Sequence, residues 1–272
     1  MHKTQENLQK VAKLVAEARR ITFFSGAGIS VPSGIPDFRS PGGIWETYDM
    51  FEVATLRAFK KRPEKVWTFI RDLYTLFTER KPNPAHYAIT DIQKLKGEDN
   101  VFIVTQNIDG LHQLAGSMNV YEVHGTPDIL HCIRCGFEEQ IDIEKHTKIK
   151  PYPICSKCEK PLKPKIVLFE ELLDPAILST SMKLARKSDL VIGVGTSLGV
   201  FPAADILLSP SPNKTKKALF NLTPTAYDRL LHYIILGDVV DTLPVLVKEV
   251  EKILSSEENK DLKKKITDVN NF

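Results

Sequence analysis

Four cysteines constrain the fold of this chain more than any other feature. They fall as Cys132-x-x-Cys135 and Cys155-x-x-Cys158, with 19 residues between the pairs. Each pair supplies half of a tetrahedral thiolate site, and the intervening stretch is long enough to fold as a small ribbon. No cysteine is left over. The first residues, Met1 to Gln5, lead into an amphipathic stretch rather than an apolar leader, so a cytoplasmic location is expected and metal is favoured over disulfides. The pattern predicts one structural zinc ion held by Cys132, Cys135, Cys155 and Cys158. Four sulfur ligands leave no open coordination position, so the chemistry must lie elsewhere.

Outside that module the chain alternates short apolar runs with stretches of helical composition. The runs are Ile21 to Phe24, Val101 to Val104, Ile166 to Phe169, Leu190 to Val194, Ala218 to Phe220 and Tyr233 to Leu236. Continuous apolar strands separated by helices predict a Rossmann-like parallel sheet covered on both faces. Leu8, Val11, Ala12, Leu14 and Val15 predict a helix over about 5–19, and Leu243 to Leu254 predict another with Pro244 in its first turn. Two segments break the rhythm: 32–86, and 126–164 with the cysteines. They are expected to form a smaller domain from a helical insertion and the zinc ribbon. The larger domain then comprises 1–31, 87–125 and 165–254, and the charged tail 255–272 is expected to be disordered.

Composition excludes little, but it bears on partners. Lysine and arginine number 37 against 34 acidic residues, for a net charge of +3. That balance gives no reason to expect nucleic-acid binding. No apolar run approaches the roughly 18 residues of a membrane span, so no membrane contact is expected. A monomer is the default.

Three motifs carry chemistry. Ser25-Gly26-Ala27-Gly28-Ile29-Ser30 follows a strand, where glycines let the backbone approach a phosphate and a following helix N-terminus would stabilise its charge. The usual dinucleotide fingerprint wants glycine where this chain has Val31. Its ribose-binding acid is also missing, since Asp49 lies at about the right spacing but follows no second strand. Hydride transfer is disfavoured accordingly. Thr105-Gln106-Asn107-Ile108-Asp109-Gly110 begins where a strand ends, the place where open α/β sheets bind ligands. Its polar groups suit a ribose, an amide or a helix cap. His124, in Tyr121-Glu122-Val123-His124-Gly125, can serve as a general base near neutral pH.

These pieces come in a particular order: Gly-Ala-Gly-Ile-Ser, then Gly34-Ile35-Pro36-Asp37-Phe38-Arg39, Lys81 to His86, Gln106-Asn107-Ile108-Asp109 and His124-Gly125. The two CxxC pairs, Gly195-Thr196-Ser197, Pro202-Ala203-Ala204 and Asn221 follow. The series resembles the sirtuin family signature from about Ala18 to Leu254. The resemblance implies an NAD-dependent enzyme that removes acyl groups, acetyl first, from protein lysine side chains, giving nicotinamide and O-acyl-ADP-ribose. It implies that Gly26, Ala27 and Gly28 face the pyrophosphate, and that Asp37, Phe38 and Arg39 lie on a mobile cofactor loop. Gln106, Asn107, Ile108 and Asp109 would line the ribose and nicotinamide pocket. Gly195, Thr196, Ser197 and Asn221 would hold the phosphate and adenosine side, with Asp238 and Val239 near the adenine.

In the family's mechanism Asn107 and Asp109 position the nicotinamide, the acyl oxygen attacks the ribose to give an alkylamidate, and His124 is the general base on a ribose hydroxyl. The alternative within the same cofactor chemistry is a protein ADP-ribosyltransferase; a non-enzymatic zinc-ribbon module is a second rival. Members that prefer acidic acyl groups place Tyr and Arg where this chain aligns Ile70 and Leu73, so neutral acyl groups are expected. The family's Phe-Gly-Glu is Phe169-Glu170-Glu171 here. Glu170 is expected to narrow the peptide groove or to select basic flanking residues.

Overall fold

The computed structural model describes residues 2–269, and side chains from Lys3 to Ser256. Helix α1 (His2–Glu17) leads into strand β1 (Ile21–Ser25). The helical insertion follows as α2 (Ile44–Thr47), α3 (Met50–Val53), α4 (Leu56–Lys61) and α5 (Pro63–Thr78). Helix α6 (Pro84–Lys96), β2 (Val101–Thr105), α7 (Leu111–Leu114) and β3 (Val120–Glu122) return the chain to the main sheet. The cysteine module comprises β4 (Gly125–His131), β5 (Glu138–Gln140), α8 (Ile143–Lys148) and β6 (Lys163–Ile166). The chain ends with α9 (Pro175–Lys187), β7 (Leu190–Val194), α10 (Asp205–Leu208), β8 (Lys216–Asn221), β9 (Tyr233–Leu236) and α11 (Val239–Val269).

The main sheet has the order β3-β2-β1-β7-β8-β9 and is parallel throughout. Its strands read as continuous apolar runs because both faces are covered. Ile21, Phe23, Val101, Ile103, Leu190, Ile192, Ala218 and Phe220 point to one face, packed with Leu8, Val11 and Val15 of α1, Ile89 and Ile92 of α6, and Leu243, Leu246 and Val250 of α11. The intervening Phe24, Val104 and Val191 point to the other, against Ala185 of α9 and Ile206 and Leu207 of α10. This is the period-2 alternation of a pleated sheet with a core on each side.

Helix α5 and the cysteine module share a separate core. Val66, Trp67, Ile70 and Tyr74 pack with Leu130, Leu162, Ile166 and the buried Cys132 and Cys155, and the Trp67 indole N–H donates to the Leu162 carbonyl at 2.7 Å. The helical insertion and the ribbon therefore form one packed unit.

Several expectations differ from the structure. The run Ile166 to Phe169 is no strand of the main sheet. Strand β6 stops at Ile166 and pairs antiparallel with β4, and Phe169 makes only an isolated bridge to Thr55. The half-buried β3 is too short and too mixed to stand out in the sequence. Helix α11 starts at Val239, where the Asp238 carboxylate accepts the Val240 N–H at 3.1 Å, so Pro244 falls inside the helix rather than in its first turn. The backbone helix continues to Val269 through the tail expected to be disordered, while the side chains of 257–272 lie outside the described residues.

Candidate active site

The chain leaves β1 for β2 on one side of the sheet, while β7 lies on the other. The carboxyl ends of β1 and β7 therefore flank the topological switch point, where such sheets bind ligands. The turn Gly26 to Ile29 sits there against Gly195 and Thr196. The Gly28 N–H donates to the Gly195 carbonyl at 2.8 Å, and the Gly26 N–H to Val194 at 3.0 Å. A Cβ on Gly28 would come within 2.8 Å of the Gly195 carbonyl oxygen, and one on Gly26 within 2.9 Å of both that oxygen and the Thr196 Cβ. The two turns interlock, so these glycines answer first to backbone–backbone packing. The expected helix behind the turn is replaced by two 3₁₀ turns, Ala27–Ile29 and Val31–Ser33, the second ended by Gly34 at φ 83°.

The end of β2 supplies the polar floor. Gln106 donates from Nε2 to Thr196 Oγ1 at 3.1 Å, tying the β2 and β7 turns together. Asn107 is buried, and its Nδ2 donates to Ser30 Oγ at 3.1 Å. The Ser30 hydroxyl in turn donates to Asp109 Oδ2 at 2.6 Å, while Asp109 Oδ1 accepts the Leu111 N–H at 3.0 Å. Burial pushes the Asp109 carboxyl above its ordinary range, and the Ser30 and Leu111 donors pull against that shift. Ser30 thus holds both polar side chains, a role its place in Gly-Ile-Ser did not announce. Ile108, between them in sequence, points away and packs on the small-unit core.

His124 follows β3. Its Nδ1 lies 2.9 Å from the Gln106 carbonyl, which can only accept, so Nδ1 carries the proton and Nε2 is left as the basic nitrogen. Burial lowers the His124 pKa, with the Gln106 carbonyl opposing, so the ring is neutral at physiological pH. Gly125 is obligatory: at φ 80° its Cβ would meet the Lys165 carbonyl oxygen at 2.0 Å. Burial, first, and the charges of Asp128 and Asp109 push nearby Glu122 up to about 7. This titratable group stood in the quoted motif without a role.

The remaining predicted residues are engaged in different ways. Burial pushes the Asp37 carboxyl up, but donors from Ser40 and Arg39 outweigh it and leave the group below its usual range. Those contacts close its loop at 2.7 to 2.9 Å. Phe38 is part-exposed and stacks on Trp45 at 5.3 Å. Asn221 ends β8 and donates to the Thr223 carbonyl. Asp238 caps α11, and Val239 is buried in the main core. Asp49, by contrast, caps α3 through the Phe51 N–H at 2.9 Å.

Beside the site, Ile70, Leu73, Phe77, Ile108, Pro127 and Ile166 line an apolar slot of about 10 Å³. The neighbouring polar side chains on α5 are occupied. Arg71 donates to the carbonyls of Thr147, Ile149 and Pro151, and the Tyr74 hydroxyl to Pro127. Glu170 sits at φ 73° in the turn closed by the Glu171 N–H on the Leu168 carbonyl. Its carboxylate is bound by the Arg57 guanidinium and backbone N–H, so it faces α4 rather than standing free to read a substrate charge.

The four cysteine sulfurs lie within 4.8 Å of one another, with Cys132–Cys158 at 3.4 Å and Cys135–Cys155 at 3.5 Å. Zinc–sulfur bonds of about 2.3 Å at tetrahedral angles set the sulfurs about 3.8 Å apart. The tetrad fits a zinc ion with no open position.

Comparison with known proteins agrees with this geometry. The Sir2 family profile matches residues 26–202. The NAD-dependent protein deacetylase of Clostridium acetobutylicum is 41% identical over 251 residues, covering 88% of this chain and 98% of that protein. A histidine-to-alanine Sir2 variant solved with deacetylated p53 peptide and 3'-O-acetyl-ADP-ribose is 32% identical with a TM-score of 0.81, covering 89% of this chain and 98% of that one. Sir2Af2 bound to a myristoylated histone peptide is 32% identical with a TM-score of 0.76, covering 93% and 99%.

Proposed function

The chain belongs to the Sir2 family, and from that membership we infer an NAD-dependent protein-lysine deacylase that releases nicotinamide and O-acyl-ADP-ribose. NAD supplies an activated glycosidic bond whose ribose takes up the acyl group; everything else falls to the chain. Asn107 and Asp109, braced by Ser30, orient the nicotinamide end. Gly26 to Gly28 and Gly195 to Ser197, interlocked at the switch point, hold the phosphates, and Asn221 with Asp238 and Val239 flank the adenosine. Asp37, Phe38 and Arg39 cover the site and exclude water. His124 takes a proton from a ribose hydroxyl at Nε2.

The observation that carries this reading is the His124–Gln106 contact: one residue both fixes the tautomer of the base and ties the β2 and β7 turns together. Zinc is structural, holding the ribbon in the small unit formed by 32–86 and 126–164. The 1–31, 87–125 and 165–254 segments make the NAD-binding unit. Four cysteines gathered as one metal-ligand set rather than as disulfides suit a reducing compartment, the cytoplasm.

The substrate is an acyl-lysine protein or peptide with a neutral acyl group. An acidic acyl chain lying against the Ile70–Leu73 face of α5 would lose hydration against apolar side chains with no charged partner among the described residues lining it, since Arg71 is committed elsewhere. The test compares acetyl, myristoyl and succinyl forms of one peptide. Neutral acyl groups are expected to turn over and succinyl to be at least tenfold slower, about 1.4 kcal/mol; equal rates for succinyl would refute the assignment of this face.

A further inference from the structure

Beneath the polar floor lie two buried histidines outside the catalytic set. His86 on α6 and His112 on α7 are almost fully buried and meet edge to face with ring centroids 5.0 Å apart. Each has one satisfied and one unsatisfied nitrogen. His86 Nδ1 accepts the Asn83 N–H at 3.3 Å, while its Nε2 has no partner. His112 Nε2 lies 2.8 Å from Ser25 Oγ, while its Nδ1 has none.

The satisfied contacts fix the tautomers. A backbone N–H can only donate, so His86 Nδ1 is bare and its Nε2 bears the hydrogen. The Ser25 hydroxyl spends its proton on Thr105 Oγ1 at 2.8 Å, so Ser25 Oγ must accept from His112. His112 therefore carries its hydrogen on Nε2, and its Nδ1 is a bare acceptor. The two orphans are complementary, one donor and one acceptor within a single ring pair. Any other combination of neutral tautomers would break one of the observed contacts. Burial holds both rings neutral, His86 at about 4 and His112 well below its ordinary value.

We propose that one internal water joins His86 and His112, accepting from Nε2–H of His86 and donating to Nδ1 of His112, and that His112 is thereby the positioning residue for Asn107. The pair completes a chain of one polarity: Asn83 N–H to His86, His86 through the water to His112, His112 to Ser25, and Ser25 to Thr105. Thr105 Oγ1 also accepts the Asn107 N–H at 3.1 Å. At the other end Asn83 Nδ2 donates to the Ile29 carbonyl at 2.8 Å. The chain therefore braces the β1 turn and the β2 end from below, and an orphan anywhere in it would leave a buried polar atom uncompensated. The functional half of this inference rests on the deacylase reading; the tautomeric half does not.

Nitrogen-15 NMR of the full chain with labelled histidine, assigned with His86→Gln and His112→Gln, tests the pairing. Both rings are expected as neutral Nε2–H tautomers from pH 6 to 8; an Nδ1–H tautomer or a titrating ring at either position overturns it. Kinetics test the positioning. His112→Phe fills the space without hydrogen bonds and is expected to lower kcat roughly ten- to hundredfold with peptide KM nearly unchanged. His112→Gln, which keeps a donor for Ser25, should recover most of that loss, and Ser25→Ala should reproduce it, which serves if His112→Phe does not fold. Phe performing as well as Gln overturns the role. If wild-type protein fails to deacylate, the function reading falls while the NMR result still decides the pair.

Discussion

Replacing Ser30 with alanine tests how the site is held. Ser30 Oγ makes two contacts at once, donating to the part-buried Asp109 carboxylate at 2.6 Å and accepting from Asn107 Nδ2 at 3.1 Å. A hydrogen bond to a charged group contributes about 1.5–3 kcal/mol and a neutral one about 1. Some of the sum is recovered by relaxation, which leaves about 2–3 kcal/mol. At 1.36 kcal/mol per tenfold this is a roughly thirty- to 160-fold loss in kcat/KM for NAD. A second signature follows from Asp109, whose carboxyl burial raises and Ser30 pulls down. Without Ser30 the carboxyl rises further, so the acid limb of the pH–rate profile moves to higher pH. Steady-state rates from pH 5.5 to 9 on Ser30→Ala, with the melting temperature as a control, measure both. A variant within about threefold of wild type and with an unmoved profile would refute the argument that Ser30 braces Asn107 and Asp109.

The pH dependence of stability follows from His86, held by burial at about 4 against an unfolded value near 6.5. The unfolded chain binds the proton first, so this contribution is whole above pH 6.5 and is lost as pH falls toward 4, by about 3 kcal/mol in full. Denaturant midpoints should fall less steeply with acid in His86→Asn than in wild type; parallel curves would argue for a solvated His86. Stripping zinc with a chelator should unfold the small unit and abolish activity with it, and activity surviving proven metal loss would remove the structural role. Glu170→Gly relieves a left-handed residue and frees Arg57. Because the carboxylate is already bound, the preference between basic and neutral flanking residues in peptide KM values should not change, and a lost preference for basic flanks would show that Glu170 does read the substrate.

What the sequence made legible was local or periodic. The buried parallel strands stood out as apolar runs because both faces are covered, and the cysteine spacing announced the tetrad. What it hid was set by distant contacts. Ile166 to Phe169 has the composition of a core strand, but its partners are β4 and Thr55, and nothing nearby in sequence says so. The helix boundary at Val239 was missed because Asp238, expected near the adenine, is also a helix cap. Ser30, His86 and His112 were unreadable as a system. Ser30 and Asp109 are 79 residues apart, and Ser25 and His112 are 87, so their joint role exists only once β1 and β2 pair. The glycines of the first turn carry a second requirement that the sequence did not announce: a Cβ on Gly26 or Gly28 would meet the Gly195 backbone.

The central claim is that acyl transfer to NAD runs through His124. Incubating the protein with NAD and an acetyl-lysine peptide, and following products by mass spectrometry beside His124→Ala, tests it directly. One nicotinamide, one free lysine and one O-acetyl-ADP-ribose should appear together, all lost in the variant while NAD still binds. Nicotinamide released without the acyl peptide, or ADP-ribose joined to protein instead, would contradict the deacylase account and favour a ribosyltransferase.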